Sequence, residues 1–405
     1  MERRTGRRHV RERGRPVRRG RAGSRRRPAP AGRHHRPPLR PRHVEHLMGH
    51  SRVAVVDGAN GYVASNTICA LLERGIRVKA LARGARTRVP EALESATIID
   101  GETPPDITEL ETYDCELTQE YLGINDFEAA TIFSEPCDFW HFAAAVDLSP
   151  NRPALLQDVN TRGTERALRL FVKHSRPGSR FFLISTAYVG GVSDTPSAET
   201  WLPPTDATQY RTVYEATKCG GELVFRDFLR EHNIDGAVFR LGQVVGSSKT
   251  AHTTSDFGIY NFMSNMKRVA RRFPGGDAAV QVTDGATLNL VPIDTTVEWL
   301  LGLAEADQLP RIVNLTDRIG VPADETVRMI GAGLGMTLRP VTPEEWDDGS
   351  LTALDRAVAT RMAYTGKYLL ERIEFDRSNL ESVLTVPDEA CDLGLLERLI
   401  AWYLK

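Results

Sequence analysis

The chain has 405 residues, 41% of them hydrophobic and 26% charged, enough apolar content for one large α/β domain with a smaller appendage. The formal net charge of −1 averages two unlike parts: residues 1–50 hold 17 Arg, no Lys and 3 Glu, a balance of +14, so the remainder carries −15. An acidic folded part excludes whole-domain nucleic-acid binding, and no apolar run approaches the roughly 20 residues that cross a bilayer.

Residues 1–50 combine Arg, Pro and Gly with six His and almost no apolar periodicity. Such a segment cannot offset the entropy of ordering and is expected to be disordered. Thr5 and Ser24 are its only hydroxyls, a poor match to a transit peptide. Between an RNA-binding arm and translated upstream sequence we favour the second, with Met48 as the natural start.

Val53-Ala-Val-Val-Asp57-Gly58-Ala-Asn60-Gly61-Tyr62-Val63-Ala64 reads as a buried strand, a glycine turn and the start of a helix running to about Arg74. Glycines at this turn let the backbone approach a pyrophosphate, and the helix N-terminus points its amides at it. Arg77–Ala82 is the second strand. A site for NAD carries an acidic residue near the end of that strand, but none occurs between Glu73 and Glu91; Arg83 follows directly, with Arg86 and Arg88 close behind. A guanidinium there suits a 2′-phosphate, so NADPH is expected over NADH.

Residues 84–113 yield only a short helix near 90–95 and irregular chain around Pro104-Pro105. Phe139–Val146 is the next buried strand and ends in small residues, against which a cofactor can lie. A helix over Ala154–Lys173, a strand over Arg180–Thr186, a helix over Val213–Glu231 and a sixth strand over Gly236–Leu241 follow. The alternation predicts an α/β fold with a doubly wound parallel sheet over 51–246. From 247 to 405 the pattern loosens into a smaller, helix-rich, substrate-covering region, with a strand near 288–293 returning to the core sheet.

Tyr214 and Lys218 stand at i and i+4, on one face of a helix. A phenol near pKa 10 is a poor acid or base at neutral pH, and a nearby cation lowers it toward the working range. The same Lys can hold the nicotinamide ribose, and Thr186, ending the preceding strand, can donate to a substrate carbonyl. Other chemistry is weakly signalled. Cys69, Cys115, Cys137, Cys219 and Cys391 have no C-x-x-C pair or zinc-like spacing and read as reduced packing residues of a cytoplasmic protein. His141 reads as a core histidine and Asp347-Asp348 as a solvated turn; no metal site is expected.

In this order the motifs resemble the extended short-chain dehydrogenases/reductases over about residues 52–380. Within them the chain is similar to the thioester reductase and fatty acyl-CoA reductase group with male-sterility-type domains. The matching pieces include Gly58–Val63, Cys115-Glu116-Leu117 with Leu122-Gly123-Ile124, His141–Val146 and Asn160–Thr164. Further on come Ser185-Thr186, Tyr214-x-x-x-Lys218, Phe239–Thr250, Asn289–Asp294 and Phe375–Asn379. The resemblance implies a Rossmann fold, a place in secondary metabolism and a catalytic Thr186, Tyr214 and Lys218. It implies phosphate contacts from Gly58, Asn60, Gly61, Tyr62 and Val63, the 2′-phosphate at Arg83, and adenine at Glu116 and Leu117. It further implies a ribose–nicotinamide path along Ala143, Ala144 and Val146, and a structural or proton-relay role for Asn160. The expected reaction is NADPH-dependent reduction of an acyl thioester to aldehyde or alcohol, the acyl group arriving on free coenzyme A or on a carrier protein in trans. The alternatives are an alcohol/ketone oxidoreductase or nucleotide-sugar epimerase/dehydratase using the same triad, and a non-catalytic NADP-binding regulator.

Overall fold

Five consecutive apolar or strand-ending residues, Val53–Asp57 (β1), are all buried, as a central parallel strand requires. In the computed structural model, which describes residues 52–100, 103–193, 195–203 and 209–405, β1 opens an alternating series. It continues with α1 (Tyr62–Glu73), β2 (Val78–Ala82), α2 (Ala85–Asp100), β3 (Leu110–Asp114), α3 (Asp126–Ile132) and β4 (Cys137–His141). Then come α4 (Pro153–Leu156), α5 (Gly163–His174), β5 (Arg180–Thr186), α6 (Val213–His232) and β6 (Asp235–Leu241). The expected tail over 1–50 lies outside the described residues.

The central sheet has seven strands, the last being Ile312–Leu315, in the order 312–315, β6, β5, β4, β1, β2, β3, all parallel. Alternate residues supply its two faces. Val56, Trp140, Phe182 and Phe239 pack with α1 and α2, whereas Val55, Phe139, Phe181 and Val238 pack with α5 and α6. Strand order reverses between β1 and β4, which opens a crevice at the carboxyl ends of these two strands.

The rest of the chain forms a second hydrophobic cluster around α7 (Ile259–Arg272). In order, β7 (Gln243–Val245) precedes α7, and β8 (Asp277–Gln281), β9 (Thr287–Leu288), β10 (Leu290–Pro292), α8 (Ile293–Ala304) and β11 (Ile312–Leu315) follow it. The chain ends with β12 (Val321–Pro322), α9 (Ala323–Gly333), β13 (Thr337–Val341), α10 (Ala353–Met362), α11 (Ser378–Val383) and α12 (Leu393–Leu404). Among the described residues no helix is long and apolar enough to cross a membrane.

Four expectations are corrected. The short helix near 90–95 is the 16-residue α2, with Pro90 inside it. Ala85, Val89, Leu93, Ala96 and Ile99 are buried every three or four residues, and this stripe outweighs the one backbone bond that Pro90 removes. The irregular stretch before 114 contains β3, a half-buried edge strand whose Glu111 and Asp114 conceal its pattern. The helix expected over 154–173 is interrupted by a π-helical segment at Gln157–Arg162. The strand near 288–293 does not return to the core sheet: β10 pairs with β7 in a separate two-stranded sheet, and β11 is the returning strand. Asn289 diverts the chain there, its amide donating to Asp317 O and accepting from Asp317 N.

Candidate active site

The glycine turn is built for close approach. Gly58 has φ +61°, and a Cβ there would lie 2.7 Å from Ala143 N. Any other residue would be both strained and clashing. Asp57, fully buried at the end of β1, secures the contact: its Oδ1 accepts from Ala143 N at 2.9 Å and its Oδ2 meets His141 Nδ1 at 2.5 Å. The other His141 nitrogen lies 3.1 Å from Thr164 Oγ1, so His141 is a satisfied core histidine. Among the described residues no cluster of His, Cys, Asp and Glu could hold a metal. The α1 N-terminus has no side-chain cap at Gly61 and no acidic residue in its first turn. A bare, 12-residue helix start beside a glycine cradle fits a dinucleotide pyrophosphate.

One cavity of about 390 Å³ opens from this cradle. It brings together Gly58, Gly61, Tyr62, Val63, Ala144, Val146, Thr186, Tyr214 and Lys218 from the expected set. Tyr62 is fixed by a 2.9 Å bond from its hydroxyl to Val245 O. The remaining expected residues lie off the cavity wall. Asn60 is in the glycine turn, and Ala143 is buried beneath Gly58. Arg83 is exposed at the end of β2, with no hydrogen bond or ion pair to another described residue. Glu116 and Leu117 follow β3; Glu116 N bonds Leu122 O, and the Leu117 side chain packs where a Cβ at Gly163 would be 3.1 Å away. Asn160 lies in the π-helical segment, a form often found at functional sites. Its amide accepts from Ala145 N and donates to Ala145 O and Thr217 Oγ1, so it joins the β4 exit to the helix carrying Tyr214. Gly221 permits that joint, because a Cβ there would come within 3.0 Å of Asn160 O.

The chemistry-bearing side chains sit at the end of β5 and on the first turns of α6. Thr212 caps α6, accepting from Glu215 N. Lys218 Nζ donates to Ile184 O at 2.7 Å, which anchors α6 to the strand ending in Ser185-Thr186. Burial lowers the Lys218 ammonium to about 8, partly opposed by Glu222 and Asp57. Tyr214 differs from expectation: burial, reinforced by the adjacent Glu215, pushes its phenol up. The cation expected to bring it down is itself disfavoured by burial and is held on a strand carbonyl.

Sequence reasoning missed several residues of this wall. Ser185 lines the cavity, and its Oγ is buried with no hydrogen-bond partner among the described residues. Tyr368, 154 positions beyond Tyr214, lines the same cavity and donates to Glu215 Oε1 at 2.6 Å. Arg211 N donates to the other Glu215 oxygen at 3.0 Å, and Lys367 Nζ to Arg211 O at 2.8 Å. Only the Ser185-Thr186 pair left a signal in the sequence; nothing local links residues 362–369 to the site.

With this geometry in hand, comparison with known proteins is informative. A profile of the male sterility protein family matches residues 56–300, from inside β1 to inside α8. The chain belongs to this family of NAD-binding domains. It is an extended short-chain dehydrogenase/reductase and an NAD(P)-dependent enzyme, with a nicotinamide cofactor. A search of curated proteins returns no match. Among solved structures it is similar to the terminal R domain from the myxalamid PKS-NRPS biosynthetic pathway (TM-score 0.70, 19% identity, covering 87% of this chain and 91% of that one). It is similar too to a thiolation-reductase di-domain from an archaeal non-ribosomal peptide synthetase (TM-score 0.66, 16% identity, 87% and 75%). UDP-glucuronic acid 4-epimerase from Bacillus cereus is a further likeness (TM-score 0.56, 15% identity, 86% and 97%). At these identities the structures establish the shared fold.

The Lys218 environment has a measurable consequence. Below about pH 8 Lys218 is charged in the folded and unfolded chain alike, and its burial penalty is carried in full. Between about 8 and the ordinary 10.5 the folded protein releases the proton first, so stability rises with pH in that window. Urea titrations of wild type and Lys218→Met should therefore diverge in favour of wild type from pH 8 to 10.5; a pH-independent difference contradicts a depressed Lys218.

Proposed function

We propose that this enzyme uses NADPH to reduce an acyl thioester, carried on coenzyme A or on a separate carrier protein, to the aldehyde or alcohol. The observation that carries the reading is the cavity wall: among the described residues Lys218 is its only charged side chain. The diphosphate of a nucleotide sugar would meet no guanidinium there, and an unpaired anion in an apolar wall is costly. An acyl thioester has no charge at its reacting end. The five cysteines are all buried and form no disulfide among the described residues, which supports a reducing, cytoplasmic setting.

In this reading the bound nicotinamide supplies hydride to the thioester carbonyl carbon. Thr186 and Tyr214 donate hydrogen bonds to the oxygen as it gains negative charge, and Tyr214 passes its proton to that oxygen. The hemithioacetal so formed expels the thiol and leaves the aldehyde. Lys218 spends one of its three donors on Ile184 O and keeps the others for the cofactor ribose. Arg83, exposed and unengaged beside the β2 terminus, supports selection of the 2′-phosphate.

Two substitutions test these roles. Tyr214→Phe should bind NADPH as wild type does but lose about 10²–10⁴-fold in thioester turnover; unchanged turnover points to a non-catalytic regulator. Arg83→Ala should weaken NADPH by about 1.5–3 kcal/mol while leaving NADH nearly unaltered, measured by fluorescence titration. Equal effects on both cofactors contradict the 2′-phosphate assignment.

A further inference from the structure

The apolar end of the cavity is assembled from distant segments: Phe257 just before α7 and Phe262 within it, Leu288 of β9, Met362 at the end of α10 and Leu369 beyond it. The last two lie after residue 300, where the family match stops, so this part of the wall belongs to chain that the family profile does not define. Behind it is a second cavity of about 140 Å³, walled by Val280, Trp346, Val358, Ala363 and Leu370. Met362 is the one described residue that lines both spaces.

Met362 is suited to act as a movable partition. It is the last residue of α10 and only 6% exposed. Its sulfur receives one weak contact, from Thr365 Oγ1 at 3.8 Å. The neighbouring Gly366 leaves its stem room, since a Cβ there would stand 3.3 Å from Met362 Cβ. An unbranched thioether with three rotatable bonds adapts to whatever abuts it, but it still fills volume.

We propose that the acyl group of the substrate is an apolar chain whose far end stops against Met362, so that this residue sets the acceptable chain length. The inference rests on the thioester reading and adds to it the substrate class and the residue that measures it. No cation faces the far end among the lining residues, so a terminal carboxylate on the acyl chain would be buried unpaired. Met362 is the lining residue that the two cavities share, so shortening its side chain should extend the first space toward the second, whose wall also holds Gln281 and Lys367.

The test is NADPH consumption with a series of saturated acyl-coenzyme A thioesters, butanoyl to hexadecanoyl, using wild type, Met362→Ala and Met362→Trp. Wild type should show an optimum length, with kcat/KM rising about fourfold per buried methylene up to it. Met362→Ala should move the optimum to longer chains and Met362→Trp to shorter ones. A carboxylate at the end of the optimal chain should cost tenfold or more, on the order expected for an unpaired buried anion. Thermal melting of each protein accompanies the assay, and Met362→Leu, which preserves volume, should keep the wild-type profile. Thioesters reduced with the same optimum in all four proteins, or equal turnover of the carboxylated chain, overturn this inference and leave the thioester reading standing. A wild-type protein that binds NADPH but reduces no thioester in the series defeats that reading, and this inference with it.

Discussion

The site depends on one buried carboxylate. Asp57 ends β1 with no solvent exposure and divides its oxygens between Ala143 N and His141. That holds the β4 exit against Gly58 so closely that only a glycine fits there. From His141 the contacts run through Thr164 to Asn160, and from Asn160 to Ala145 and Thr217. A continuous polar chain thus joins the glycine turn to the helix bearing Tyr214 and Lys218. Because its side chains, Asp57, His141, Thr164, Asn160 and Thr217, are buried, a missing partner among them is costly, which favours a single arrangement.

The other half of the site is imposed from outside the sheet. Glu215 follows Tyr214 directly and is fully buried, with Tyr368 and Arg211 as its partners. Tyr368 also meets Tyr188 edge-on, ring centroids 5.2 Å apart, and both rings line the cavity. The segment after α10 is thereby tied to the first turn of α6, and its part of the cavity wall is registered to Tyr214 and Lys218.

What the sequence disclosed follows from how local each signal is. Val53–Gly61, Ser185-Thr186 and Tyr214/Lys218 carry their meaning within a few residues, and the doubly wound sheet follows from the alternation of buried strands and amphipathic helices. β3 escaped because an edge strand need bury only part of itself, and α2 extends past the expected 90–95 at both ends, its buried stripe running from Ala85 to Ile99 with Pro90 inside it. The Tyr214 environment was misjudged for a different reason: spacing places Lys218 on the same helix face but says nothing of the Ile184 carbonyl that engages it. Tyr368 and Met362 reach the cavity only through tertiary packing, and no periodicity announces that.

The central claim is that hydride reaches a carbonyl bearing a thiol leaving group. The most direct test is to follow NADPH loss and free thiol together while the enzyme consumes an acyl thioester. One thiol per NADPH is predicted if reaction stops at the aldehyde, and one per two if it continues to the alcohol. NADPH consumption with a ketone substrate, and no thiol from any thioester, free or carrier-bound, would contradict the account.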